Sequence, residues 1–190
     1  MTMYVQDYDE TFPPSFNGGN PTTPVDLHRW VAMFAAYTKN KQINDCPSAS
    51  FKTIAATGGN NSYGYSRQAF ELAPLAAITE PAGTIVFADA ARLSAAPSGE
   101  LDPTTWKEGG SVDHDMHFPA KNPAKNLCWR WAQSTCDNNN YRRPFPRHQQ
   151  MANFAFADGH AKATRVDRII KKADGSPMTW GDPNCMFDDK

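Results

Sequence analysis

The stretch Arg147-His148-Gln149-Gln150-Met151-Ala152-Asn153-Phe154-Ala155-Phe156-Ala157-Asp158-Gly159-His160 decides how this chain is read. It holds a short apolar run, an Asp-Gly pair and a histidine, His148, ahead of them. Asp-Gly between two strand-like runs signals a hairpin, because a type I′ turn needs φ > 0 at both central residues. With Asp158 and Gly159 as the turn, Ala157 faces His160, Phe156 faces Ala161 and Ala155 faces Lys162. Phe154 then faces Ala163, and Asn153 faces Thr164. Side chains alternate along a strand. Phe154, Phe156, Ala161 and Ala163 therefore form an apolar face, and Asn153, Lys162, Thr164 and His160 a polar one. That division suits a sheet packed on one side, and a slip of one residue would carry both phenylalanines into water.

Upstream, Met3 to Glu10 reads as the last turns of a helix stopped by Pro13-Pro14. Thr23 is an N-cap candidate with Pro24 at the first helical position. Leu27, Trp30, Val31, Phe34 and Ala35 follow at helical spacing, so a second, amphipathic helix is expected over 24–40. Ser62-Tyr63-Gly64-Tyr65 reads as a short strand. Thr84-Ile85-Val86-Phe87-Ala88 reads as a strand buried on both faces, so the early strands span 62–89. Residues 90–150 show no clear period, and a stretch of that kind is usually functional or cross-linked. The hairpin, over 151–166, closes the fold. Helices followed by antiparallel strands make one α+β domain over 1–190.

The chain has 190 residues, 40% of them hydrophobic, enough for a single sizeable core. Its net charge is −1 with Lys and Arg scattered, which argues against a nucleic-acid partner. No segment approaches the ~20 apolar residues needed to span a bilayer. The polar, acidic start MTMYVQDYDE does not read as a signal peptide. Cys46, Cys128, Cys136 and Cys185 form no C-x-x-C pair, so a zinc knuckle is not indicated. Cys128 with Cys136, and Cys46 with Cys185, are the candidate disulfides, favouring an oxidising compartment. The alternative is four buried thiols.

Several residues carry chemistry worth weighing. Asp113, His114, Asp115 and His117 supply ligands suited to first-row metals, against a reading as a solvated polar loop. Asp174-Gly175-Ser176, Asp182 and Asp188-Asp189 offer hard oxygen donors at no fixed spacing, against an acidic, solvated tail. Trp106, Trp129 and Trp131 can form a sugar- or partner-binding surface, or else cover the core. His148, Asp158 and His160 read as structural: Asp158 turns the chain, and His148 is placed to bond a neighbouring backbone group or Asp89. No serine or cysteine sits in an activating motif, Gly-x-Ser-x-Gly is absent, and no phosphate loop is present.

The pattern R-H-x9-D-G-H over Arg147 to His160 resembles the C-terminal signature of pilin-like proteins named for their H-x9-D-G motif, with His148, Asp158 and Gly159 as its signature residues. Further pieces resemble the same family in the same order. They are Met3 to Glu10 as the end of the long pilin helix, Asp45-Cys46-Pro47-Ser48, Asn61-Ser62-Tyr63-Gly64-Tyr65, and Thr79-Glu80-Pro81-Ala82 through Phe87-Ala88-Asp89. The resemblance implies a pilin-like α+β fold, an N-terminal helix packed on an antiparallel sheet with a loop-rich insertion over 90–150. It implies a non-enzymatic subunit of a type IV pilus-like filament or type II secretion pseudopilus, polymerising with other pilin subunits outside the cell. It also implies a preceding apolar helix that anchors the subunit in the membrane, and Ca2+ held in a late loop, for which Asp174, Ser176, Asp182, Asp188 and Asp189 would be the donors. Nothing precedes Met1 here, so the helix is expected to be largely missing through truncation. The competing expectations are a secreted carbohydrate- or protein-binding module using Trp106 to Trp131, and a metal-dependent hydrolase built on residues 113–117.

Overall fold

The computed structural model describes residues 1–14, 30–51, 62–66, 70–94, 101–110, 116, 142–178 and 182–187. Among them are helices α1 (Thr2–Asp7), α2 (Trp30–Met33) and α3 (Ala35–Thr38), and strands β1 (Tyr63–Tyr65), β2 (Ile85–Leu93) and β3 (Glu108–Gly110). Strands β4 (Arg142–Pro144), β5 (Met151–Phe156) and β6 (Ala161–Arg165) follow, and helix α4 (Val166–Ile170) comes last. The six strands form an open antiparallel sheet in the order β1-β2-β5-β6, with β3 and β4 also paired to β2. Sheet plus short helices is an α+β mixture.

Strand β2 organises everything else. Ile85, Val86, Ala88, Asp89, Ala90 and Ala91 are all buried, because partners lie on both edges and apolar layers on both faces. The strand runs on to Leu93, past the expected end of the apolar run at Ala88, and its far half pairs with β3 and β4. One apolar layer gathers Ala88, Ala90, Trp106, Phe154, Phe156, and Val166, Ile169 and Ile170 of α4. The other gathers Tyr4 and Val5 of α1 with Phe12, Trp30, Phe34, Tyr65 and Phe70.

The described part of the expected second helix is two short pieces, and residues 24–29 lie outside the described residues. Trp30 and Phe34 still face inward, with ring centroids 4.8 and 5.9 Å from that of Phe87. Helix α1 ends at Asp7 rather than Glu10, because Asp9 (φ 50°) and Glu10 (φ 54°) turn left-handed. Its ring Tyr4 stacks on Tyr8 at 4.2 Å and meets Phe34 at 5.3 Å. Tyr37 Oη donates to Asp7 Oδ2 at 2.8 Å, and that bond pushes the Tyr37 phenol up to about 12. These contacts bind α1 to α2 and α3.

The hairpin corrects the expected register by one residue. Phe154 pairs with Lys162, Asn153 with Ala163 and Ala152 with Thr164. The turn is not type I′: Gly159 is left-handed at φ 95°, while Asp158 is not among the residues with positive φ. Gly159 N donates to Phe156 O at 3.0 Å and Phe156 N to His160 O at 2.9 Å. The loop is therefore Ala157-Asp158-Gly159, a turn closed by a left-handed glycine that forms a bulge. Asp158 Oδ1 accepts from His160 N at 3.0 Å, a local bond that steadies the loop. Phe154 and Phe156 stay inward as expected. Ala161 and Ala163 move to the side of Asn153, and the ring of His160 stacks on Phe156 at 4.2 Å. The slip is tolerated because β6 is an edge strand with almost no buried side chain, so its own pattern specifies register weakly.

Candidate functional site

Strands β4 and β5 run along the same edge of β2, separated by an excursion over Phe145 to Gln150. Gln149 (φ 53°) and Gln150 (φ 66°) are both left-handed and turn the chain back into the sheet. Asp89 lies opposite this interruption. Its carbonyl accepts from Phe145 N at 2.8 Å. Its carboxylate takes the place of a ladder partner, since Oδ2 accepts from Asn153 N at 2.7 Å and from Asn153 Nδ2 at 2.9 Å. Oδ1 is buried and has no hydrogen-bond partner among the described residues. Burial pushes the Asp89 carboxyl above the ordinary aspartate range, against the pull of the Asn153 N–H and of nearby His148 and Arg147.

The excursion presents two side chains. The Arg147 side chain is buried and donates from Nε to Glu108 Oε1 at 2.7 Å, from Nη1 to Ser62 O at 2.9 Å and from Nη2 to Ala90 O at 2.5 Å. It carries the ladder on where β1 stops. Glu108 uses its other oxygen to accept from Ser50 N at 2.7 Å, which fastens the segment after Cys46. The guanidinium also lies over Phe51 and Phe145, 5.6 Å from each centroid.

His148 is clamped through its backbone, which exchanges bonds of 3.0 and 2.9 Å with Met151. Its Nε2 lies 3.4 Å from Asp89 Oδ2 and 3.5 Å from Cys46 Sγ. Cys46 follows the 3-10 turn Lys41–Asn44, whose start is capped by Asn40 Oδ1 accepting from Gln42 N at 2.9 Å. Tyr63, opposite Asp89 in the β1–β2 register, borders the group. Its phenol is raised by burial, then by the charges of Asp89 and Cys46. A thiol, a carboxylate and an imidazole in one place can share protons or hold a metal ion.

The other candidate residues fall elsewhere. Cys46 and Cys185 are both buried and neither is in a disulfide, which corrects the expected second bridge: Cys46 Sγ faces His148 instead. Cys128 and Cys136 lie outside the described residues. Asp113, His114, Asp115 and His117 also lie outside them, as do Trp129, Trp131, Asp188 and Asp189. Trp106 is only 5% exposed and packs in the apolar layer beside α4, so it is core, not a binding surface. Asp174 Oδ1 accepts from Ser176 N and Oγ at 2.9 and 2.6 Å, and Asp182 pairs with Lys172 Nζ at 2.7 Å. Those carboxylates act in turns and an ion pair, and Gly175 (φ 82°) makes the turn. Among the described residues the one group with metal-ligand geometry is Cys46, Asp89 and His148, whose ligand atoms all lie within 4.8 Å of one another. The sequence offered Asp89 as one possible partner of His148 but gave no sign of Cys46, which comes from a distant segment. The chain matches no protein-family model, no curated protein and no solved structure.

Proposed function

We propose that this chain is the globular domain of a pilin-like structural subunit, a pilin or pseudopilin of an extracellular filament or type II secretion pseudopilus, without a catalytic role. The reading rests on where the resembling motifs meet. Cys46, Ser62, Asp89, Arg147 and His148 come from distant stretches and contact one another or a shared partner around β2. The Asp158-Gly159 loop lies against the start of α1, with the Cβ position of Gly159 3.5 Å from Thr2 Cγ2. Its backbone also bonds the preceding turn, from Ala157 N to Thr84 O at 3.0 Å and from Asp158 N to Pro81 O at 3.2 Å. Motifs spent on joining sheet, hairpin and first helix suit a subunit that must keep its shape while neighbours pack around it. Partners are then other pilin subunits, and the membrane is reached through an apolar helix joined to α1.

The test uses the gene at its native locus, with whatever coding sequence precedes residue 1. Surface filaments are sheared off and probed with an antibody to this domain, with and without the prepilin peptidase. Labelled filaments that vanish without the peptidase support the reading. A domain released as a soluble secreted protein in both strains overturns it.

A further inference from the structure

We propose that Cys46, Asp89 and His148 bind a single zinc-class divalent ion. The site is independent of the filament reading. A sulfur, a nitrogen and an oxygen donor together suit a borderline-soft ion such as Zn2+ and not the hard cations Ca2+ or Mg2+. Two of the three edges also match tetrahedral spacing, and the third is no longer than 4.8 Å. Zinc bond lengths of about 2.3 Å to sulfur and 2.0–2.2 Å to nitrogen or oxygen, at tetrahedral angles, give ligand-to-ligand edges of roughly 3.5 Å for S···N and 3.4 Å for N···O. Sγ and Nε2 are 3.5 Å apart, and Nε2 and Oδ2 are 3.4 Å apart.

The residues around the three ligands hold them in place. Asn153 grips Asp89 Oδ2 through its backbone N–H and its side-chain amide, leaving Oδ1 buried and without a partner among the described residues. An ion held at Oδ2 also brings positive charge to the buried carboxylate whose other oxygen has no such partner. Met151 fixes the backbone of His148, and hence the position of its ring. Arg147, whose charge acts on Asp89, is already engaged by Glu108 at 2.6 Å. Cys46 is 4% exposed, too enclosed for its sulfur to attack a bulky substrate, whereas the His148 side chain is 34% exposed and opens a way in for an ion and one water. Binding releases the thiol proton, and an imidazolium proton where present, to solvent. The bound thiolate and carboxylate then balance the two positive charges of the ion.

The experiment titrates chelator-treated, reduced protein with Co2+ and then Zn2+. The expected result is one equivalent of Co2+ with a thiolate-to-cobalt charge-transfer band and the intense visible bands of tetrahedral cobalt, both displaced by Zn2+. Cys46→Ser should abolish the charge-transfer band, and His148→Ala should weaken binding at least ~10-fold. Cys128→Ser with Cys136→Ser should leave both unchanged. Circular dichroism of each variant separates ligand loss from misfolding, and the half-exposed His148 provides the deciding variant where Cys46→Ser does not fold. Absence of stoichiometric Co2+ binding by the unaltered chain overturns the proposal. So does binding that survives His148→Ala undiminished, or binding lost only in the Cys128/Cys136 double variant.

Discussion

Replacing Arg147 with methionine keeps most of the side-chain volume under Phe51 and Phe145 but removes the guanidinium. Three acceptors are affected unequally. Ser62 O still accepts from Ala90 N at 2.9 Å, so its loss is small. Ala90 O loses its Arg147 bond, and a buried acceptor left unpaired costs about 1–3 kcal/mol. Glu108, with a side chain 9% exposed, loses its counter-charge, and breaking a buried pair costs about 3–5 kcal/mol. The total is roughly 4–8 kcal/mol, with the lower end favoured because Glu108 can swing toward water. Domains of this kind have only about 5–15 kcal/mol in all, so Arg147→Met should lose a large share of its stability. The double variant Arg147→Met, Glu108→Gln removes the stranded charge and should recover about half of the loss. Urea unfolding at neutral pH, followed by tryptophan fluorescence and circular dichroism together, measures both. A loss below ~1 kcal/mol in the single variant, or a double variant no more stable than the single, would refute the assignment of Arg147 as the fastener of β1, β2 and β3.

Three further outcomes are expected. Phe154→Ala empties the centre of one apolar layer and should cost about 3–5 kcal/mol in the same urea assay. Gly64→Ala should cost about 1–3 kcal/mol, because the new Cβ would stand 2.6 Å from Met116 Cβ and 2.9 Å from Ala90 Cβ, neither of them a flexible chain end. Asp102, Asp158, Asp167 and Asp174 are held below the ordinary aspartate value of 3.8 mainly by local hydrogen bonds, from Thr104, His160, Arg165 and Ser176 respectively. Carboxyls with lowered folded-state values contribute stability that is whole above 3.8 and lost as pH falls through those lower values. The melting temperature should therefore decline below that pH, and Asp167→Asn should shallow the decline; an unchanged slope in that variant would contradict its pairing with Arg165.

Legibility followed the range of the forces involved. The inward direction of Phe154 and Phe156, the strand at Tyr63–Tyr65, and the buried face of Trp30 and Phe34 were readable because each is encoded by spacing within a few residues. The far half of β2 was not, because Asp89 to Leu93 mixes alanines with charged residues and becomes a strand only when β3 and β4 pair with it. The hairpin was half readable. Asp-Gly marks a turn in any register, but the choice between a two-residue and a three-residue loop depended on the Asp158–His160 bonds and on the anchoring of Ala157 and Asp158 to the turn at Pro81 to Thr84.

The same division holds for the site. By sequence alone, Arg147-His148 and Asp158-Gly159 stood out as a motif, and His148 was assigned to a backbone group or to Asp89. Sequence alone also pointed to a mixed α+β architecture, because apolar periodicity is a local property. Only the tertiary structure brought Cys46 to His148 and Asp89, and only it made Arg147 a fastener of three strands. The physical reason is that burial and strand pairing act between residues far apart in the chain. Cys46, read first as half of a disulfide, acquires its chemistry from a carboxylate and an imidazole that no local pattern could assign to it.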